Sequence, residues 1–153
     1  MTAFTASTTA SAIVPVARER VWDVLVDPNL VAEFTPFVKS IEARGEHWIW
    51  TLSGLSVLGK GFSATFTERM TLEDQKRIEF THDPPDTERA AVNGWYNLEE
   101  VAEGVRLETS LEICVDLPLP KLSGGAVRTA MKGVMATMGD RFSKNLLAHL
   151  GVS

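Results

Sequence analysis

The chain has 153 residues, of which 44% are hydrophobic, and a formal net charge of -5 at pH 7. This length predicts one domain with a single core, spanning residues 1–153. The acidic balance argues against a nucleic-acid partner, because phosphate binding needs a basic surface. No apolar run approaches the roughly eighteen residues of a membrane span, so the sequence predicts no integral membrane segment.

The N-terminal pattern and the cysteine count favour the cytoplasm. Residues 1–12 lack the basic region and the continuous apolar core of a secretory signal. Cys114 is the single cysteine, which excludes an internal disulfide and favours a reducing compartment. The sequence gives no indication of the oligomeric state.

The first part of the chain predicts a strand followed by two short helices. Residues 4–14 are mostly small or hydroxylated and have no helical stripe, which indicates a strand. Residues 17–27 place apolar side chains at helical spacing, and we expect Pro28 to close this helix. Residues 29–34 predict another turn or two, which ends before Pro36.

The middle of the chain predicts an antiparallel meander, because its apolar residues alternate and its connections are short. The predicted strands are 38–44, 47–53, 61–72, 76–82, 89–98 and 104–117. Residues 54–60 predict a connecting loop. Alternation in the last strand predicts one covered face and one wet face.

The parity of the strands defines a set of side chains that we expect to face inward. From the middle strands this set is Phe62, Ala64, Phe66, Glu68, Met70, Leu72, Ile78, Phe80, Val92, Gly94, Tyr96 and Leu98, and from the last strand it includes Leu111 and Ile113.

Residues 123–150 predict one long helix, with Ser123 capping its start. Met131, Met135 and Met138 lie on its apolar face at helical spacing, and we expect all three to point at the sheet. Unbranched thioethers suit either gap filling in a core or the wall of a cavity, and both alternatives stay open. A curved sheet with one apolar face needs such a cover.

The order of elements and one local pattern resemble the helix-grip fold of the START-like (SRPBCC) superfamily, which includes Bet v 1-type and polyketide cyclase-like proteins. The pattern is an apolar strand end at Ile13-Val14, a short gap, Val21-Trp22, and then Leu25-Val26-Asp27-Pro28. The resemblance implies an α+β fold in which a curved antiparallel sheet of about seven strands wraps around the C-terminal helix.

Within that superfamily, the chain looks most similar to the type associated with carbon monoxide dehydrogenase as an accessory protein. The residues that carry this resemblance are Gly59-Lys60-Gly61, Thr65-Phe66 and Arg106-Leu107. The resemblance implies a protein that assists a redox enzyme and makes peripheral contact with a membrane.

Glu68 stands out because its parity sets a carboxylate among apolar side chains. In an apolar cavity its pKa would rise, and it could anchor a polar group or act as a general acid or base. The alternative is that strand twist carries Glu68 to a wet rim, where Arg69 pairs with it. Tyr96 and His82 share the inward parity and could supply hydrogen bonds.

The predicted ligand-binding residues are apolar or aromatic side chains of the inward faces together with Glu68: Trp50, Phe66, Glu68, Met70, Phe80, Tyr96, Leu111, Met131, Met135 and Met138. The predicted gate consists of apolar residues in two connections, Leu55, Val57, Leu58 and Leu119.

No metal, cofactor or catalytic residue is predicted. His47, His82 and His149 lack the paired spacing of a zinc site, and there is no recognisable triad. The sequence therefore predicts a binding or transport protein for a hydrophobic small molecule, such as a lipid, quinone or polyketide-like compound. Two alternatives stay open, namely a cyclase- or dehydratase-like enzyme of the same fold and a protein adaptor without a ligand.

Overall fold

The structure is a computed structural model that describes residues 2–152, apart from the side chains of Val57, Lys60 and Phe62. Its elements in chain order are β1 (Thr2–Val14), α1 (Arg18–Leu25), α2 (Pro28–Phe34), β2 (Val38–Arg44), β3 (His47–Val57), β4 (Lys60–Glu73), β5 (Arg77–His82), β6 (Ala90–Val101), β7 (Gly104–Leu117), a 3-10 turn (Lys121–Ser123) and α3 (Gly124–Leu150). This order confirms the predicted fold class.

The seven strands form one antiparallel sheet in the order β1-β7-β6-β5-β4-β3-β2. From β2 to β7 each strand pairs with the next one in sequence, as the short connections predict. β1 joins the far side of β7, so that β1 and β2 are the two edges of the sheet.

α1 and α2 meet at Asp27. Its carboxylate accepts hydrogen bonds from the backbone N–H groups of Asn29 and Leu30, at 3.0 and 3.2 Å, and so caps α2. Pro28 is the first residue of α2, where its missing N–H costs nothing, instead of only closing the helix before it.

α3 packs along β1 and touches α1, α2 and β3. Val127, Met131, Met135, Leu146 and Leu150 are its buried apolar side chains, and they belong to the single core. The helix ends at Gly151, whose φ of 75° is a left-handed conformation that suits glycine.

The predicted cap of α3 is wrong. Ser123 belongs to the 3-10 turn and has helical dihedrals, so its side chain makes no capping hydrogen bond. A cap of that kind needs an extended backbone at the capping residue, which the preceding turn does not provide.

Side chains fasten α3 to the two short helices. The amide of Asn145 donates to the Phe34 carbonyl at 3.0 Å, and the Arg20 guanidinium donates to the Leu150 carbonyl at 3.0 Å. Phe34 also packs against Phe142, with ring centroids 6.2 Å apart. The C-terminal half of α3 is therefore held by α1 and α2 more than by the sheet.

Two details of the strands differ from the sequence prediction. β3 continues through Gly54, with φ of 78° at a bulge, so the expected loop over 54–60 is reduced to a turn at Leu58 and Gly59. Leu72 has the inward parity but is 53% exposed, because it adjoins the turn at 74–76.

Among the described helices, none is both long enough and apolar enough to cross a membrane.

Candidate functional site

Part of the concave face of the sheet is open to solvent. On β1, Phe4, Ala6 and Val14 are buried, yet Thr8, Ala10 and Ala12 share their parity and are exposed. Their partners on β7 are only partly buried as well. We call this region the concave trough, and it consists of Thr8, Ala10, Ala12, Tyr96, Leu107, Thr109 and Leu111.

A row of cross-strand neighbours leads from the trough into the closed part of the same face. It runs through Thr8, Leu111, Gly94, Phe80 and Met70. The Phe80 ring occupies the space over Gly94, which has no side chain. Phe80 and Met70 are buried, whereas Leu111 is half-buried against the core. The row joins predicted ligand-binding residues of β4, β5 and β7.

Aromatic rings form the wall of the closed part. Trp50 stacks on Phe66, with ring centroids 5.4 Å apart and an angle of 16°. Phe80 is tilted against Tyr96 at 5.2 Å. Such pairs add packing energy beyond the area that they bury, so this wall is rigid.

Glu68 lies in this wall and is only 2% exposed. Burial raises the pKa of its carboxyl group from 4.5 to about 8, since the charged form loses its hydration. The carboxyl group is therefore mostly protonated at neutral pH. The wet-rim alternative is wrong, because Arg69 points to Asp83 at 3.1 Å and to Glu46 at 3.7 Å.

Two further polar groups lie beside Glu68. The Trp50 indole N–H opposes the rise in the pKa of Glu68, but it has no hydrogen-bond acceptor of normal geometry among the described residues. Burial, and then the nearby charge of Glu68, raise the pKa of the Tyr96 phenol, which keeps it protonated. The indole N–H, the phenol and the neutral carboxyl group can all donate hydrogen bonds here.

His82 does not take part in this cluster as the sequence suggested. Its Nε2 lies 2.9 Å from the Glu88 carboxylate, which also accepts from the Thr67 backbone N–H and hydroxyl at 2.7 and 2.8 Å. Glu88 thus occupies the place beside β4 where β5 has ended. Strand periodicity could not reveal it, because Glu88 lies in the connection between β5 and β6.

The methionines of α3 occupy two different environments. Met131 and Met135 are buried in the core, at 5% and 6% exposure. Met138, one turn further, is only partly buried. The orientation expected from the helical pattern therefore holds best for the N-terminal half of α3.

The predicted gate residues lie at one end of the sheet, since the β3–β4 turn and the end of β7 are at the same side of the meander. Leu55 and Leu119 are partly buried against the core. Leu58 is 49% exposed in the tight turn. The Val57 side chain lies outside the described part. The Leu119 carbonyl accepts the Thr2 hydroxyl at 2.7 Å, which fastens that connection to β1.

Two surface depressions lie away from this cluster. One, of about 360 Å³, is lined by residues 15–18 and 100–104. The other, of about 520 Å³, lies beside α2 and β2. Neither is lined by Glu68 or its neighbours, and the chemistry of the aromatic wall is the stronger indication of a site.

The seven-stranded antiparallel sheet, the two short helices after its first strand and the long C-terminal helix define a START-like protein with a helix-grip fold. The chain belongs to the family described as polyketide cyclase / dehydrase and lipid transport, whose model matches residues 5–147.

Solved structures of similar fold are distant in sequence. TTHA0849 from Thermus thermophilus is 20% identical, with a TM-score of 0.69, over 92% of this chain and 93% of the other. The Zhui aromatase/cyclase from Streptomyces sp. R1128 is 16% identical, with a TM-score of 0.65, over 95% and 93% of the two chains. A START superfamily protein from Mycobacterium smegmatis is 14% identical, with a TM-score of 0.67, over 94% and 95%. No curated protein matches the chain in sequence.

Proposed function

We propose that this protein binds and transports an uncharged hydrophobic small molecule, such as a lipid, quinone or polyketide-like compound, on its concave face. The observation that carries the proposal is the buried carboxyl group of Glu68 beside the unpartnered indole N–H of Trp50. A buried donor without an acceptor costs roughly 1–3 kcal/mol, which a ligand atom can recover.

The polar groups of the site favour one kind of ligand end. Trp50 can only donate, and Glu68 and Tyr96 each have a proton to donate while they are neutral. A carbonyl oxygen accepts from such donors, whereas an ammonium group would meet the positive end of the indole N–H. An anionic end would have to lose its hydration in an apolar wall. The ligand is therefore an apolar body with an uncharged accepting end.

The apolar body would lie along the aromatic wall and under α3. The proposed contacts are those predicted from the sequence, namely Trp50, Phe66, Glu68, Met70, Phe80, Tyr96, Leu111, Met131, Met135 and Met138. The open trough beside them supplies a route to solvent, and we keep Leu55, Val57, Leu58 and Leu119 as the proposed gate.

An enzyme of the cyclase or dehydratase kind is the second candidate. The observation that favours it is the pKa of Glu68 near 8, which suits a general acid or base at neutral pH. Against it, His82 is engaged with Glu88 and leaves only Tyr96 as a second proton-transfer group among the sequence-predicted candidates. A carrier needs only the one anchor.

Three finer features stay proposals. Two of them, assistance to a redox enzyme and contact with a membrane, follow from the resemblance to the carbon monoxide dehydrogenase-associated type. The third is a cytoplasmic location. A ligand-free adaptor is the hypothesis that these proposals oppose.

Native mass spectrometry of protein purified from its own host tests the function. We expect an apolar compound to copurify with wild-type protein and to be reduced in Glu68→Leu, while Glu99→Leu, an exposed control on β6, retains it. A wild-type protein that is consistently empty would favour the adaptor.

Assays with candidate thioesters and polyketide mimics separate the carrier from the enzyme. We expect Glu68→Gln to change ligand preference more than any turnover. Robust wild-type turnover that falls by roughly a hundredfold in this variant, the scale of a lost general acid or base, would establish the enzyme instead.

A further inference from the structure

The two edges of the sheet differ in a way that the proposed ligand site does not explain. β2 is short, contains Lys39, Glu42 and Arg44, has an irregular register near Val38, and is packed by α2. Charges, irregularity and a covering helix are the usual protections of an edge strand. β2 is therefore a protected edge.

β1 has none of the sequence protections. Its thirteen residues contain no charged side chain, proline or glycine, and its register with β7 is continuous from Thr2 to Val14. Residues 7–13 are exposed on both faces of the strand. Alternate residues of such an edge direct their N–H and C=O groups away from the sheet, where they can pair with another strand.

We propose that β1 pairs antiparallel with β1 of a second copy of this chain, which gives a two-fold symmetric dimer with one continuous sheet. An antiparallel pair of identical strands is self-complementary, as a two-fold interface requires. Charge favours this occupant, because the copies carry a net charge of -5 each and meet along a strand that carries none.

The side chains along β1 suit a close approach. Ser7, Thr9 and Ser11 form one exposed row, and Thr8 and Ala10 belong to the other. Pairs of Thr and Ser side chains across strands stabilise a sheet, and none of these residues is bulky enough to prevent pairing. The Thr8, Ala10 and Ala12 side of the concave trough would then continue into the second copy.

The expected affinity is modest. A stable interface usually buries about 800 Å² on each partner, and one strand edge with small side chains supplies less than that. Dissociation in the micromolar range is therefore expected, and the dimer should be seen by sedimentation velocity as protein concentration rises from micromolar to submillimolar.

Lysine substitutions on the two edges test the assignment. Thr9→Lys brings like charges together near the two-fold axis and should weaken dimerisation at least tenfold. Ser40→Lys on β2 is the matched control and should dimerise like the wild type. Circular dichroism and melting temperature establish that both variants are folded. The proposal is overturned if the wild type stays monomeric throughout, if Thr9→Lys dimerises equally well, or if Ser40→Lys loses the dimer too.

Cross-linking tests the register independently of affinity. In a Cys114→Ser background, Ser7, Thr9 and Ser11 are replaced by cysteine one at a time. We expect the position nearest the axis to form a disulfide-linked dimer under mild oxidation, while Ser40→Cys does not. A dimer in which none of the three positions cross-links is held by another surface, and this outcome rejects the β1 pairing. An edge left without a second copy would be available to a strand of a different protein.

Discussion

The indole N–H of Trp50 lies beside the carboxyl group of Glu68, inside the sheet, without making a hydrogen bond of normal geometry. The acid is therefore kept neutral by its surroundings and not by a partner. This relationship links the stability of the fold to pH, because a neutral carboxyl group fits the site and an ionised one does not.

Stability should fall as pH rises through the range set by Glu68. An unfolded glutamate ionises near 4.5, whereas the folded one ionises near 8. Between these values the unfolded chain binds fewer protons, so the free energy of unfolding decreases with pH and levels off above about 8. The full effect is on the order of several kcal/mol.

Glu68→Gln should remove this dependence. Between about pH 5 and pH 9 the variant should lose a few kcal/mol less stability than the wild type, measured by denaturant unfolding. Glu99→Gln, on the exposed side of β6, should behave as the wild type does. Parallel curves for wild type and Glu68→Gln would mean that Glu68 is ionised in the folded protein.

Ligand binding should depend on the same proton. If the ligand accepts a hydrogen bond from neutral Glu68, affinity should be constant below about pH 7 and roughly tenfold weaker one unit above the pKa of about 8. Tryptophan fluorescence titration with an uncharged quinone is a suitable measurement. Glu68→Gln should show no such decrease, and a wild-type affinity that is unchanged at pH 9 would contradict the proposed anchor.

Gly94 should tolerate no side chain. A Cβ at this position would collide with the Ser110 carbonyl, and it would lie 2.8 Å from Cε2 of Phe80. The carbonyl belongs to β7 and cannot move without disturbing the ladder, so Gly94→Ala should cost roughly 2–4 kcal/mol. Gly133→Ala in α3 has no atom within 4 Å and should instead stabilise by up to about 1 kcal/mol. Equal effects of the two changes in denaturant unfolding would refute this account.

The proposed gate predicts where motion is concentrated. Hydrogen exchange of the empty protein should be fast at residues 54–61, and an apolar ligand should increase protection there first. Gly54 and Gly59 have left-handed dihedrals, with φ of 78° at both, and interrupt regular pairing. If these amides are already as protected as those of the central strands, the β3–β4 hairpin is part of the core and does not gate the site.

Glu88 should contribute to stability through hydrogen bonds. Glu88→Ala leaves the Thr67 N–H and hydroxyl without their acceptor, which should cost roughly 1–3 kcal/mol in denaturant unfolding. Glu99→Ala removes only an exposed ion pair with Arg106 and should cost less than about 1 kcal/mol. A loss of the same size in both variants would reduce Glu88 to a surface residue.

The fold followed from periodicity because each strand buries one face. Alternation placed Phe66, Phe80 and Val105 inside, and all three are buried. Periodicity is weaker at element ends, where a turn exposes a residue of inward parity such as Leu72, and where a bulge at Gly54 extends a strand through an expected loop.

The site was predictable only as far as its face. Parity placed Glu68 among apolar residues, but whether it was buried depended on the surrounding rings, which come from distant strands. The engagement of His82 could not be foreseen, since its partner Glu88 lies in an irregular connection. Contacts that depend on a loop's path have no periodic signal in the sequence.

The contact of Glu88 with Thr67 has a consequence for how the sheet opens. At this point a side chain, and not a neighbouring strand, holds the backbone N–H of β4. The amide proton of Thr67 therefore exchanges when the connection between β5 and β6 lifts away, even while the sheet stays intact. Its exchange rate is a local clock for that connection.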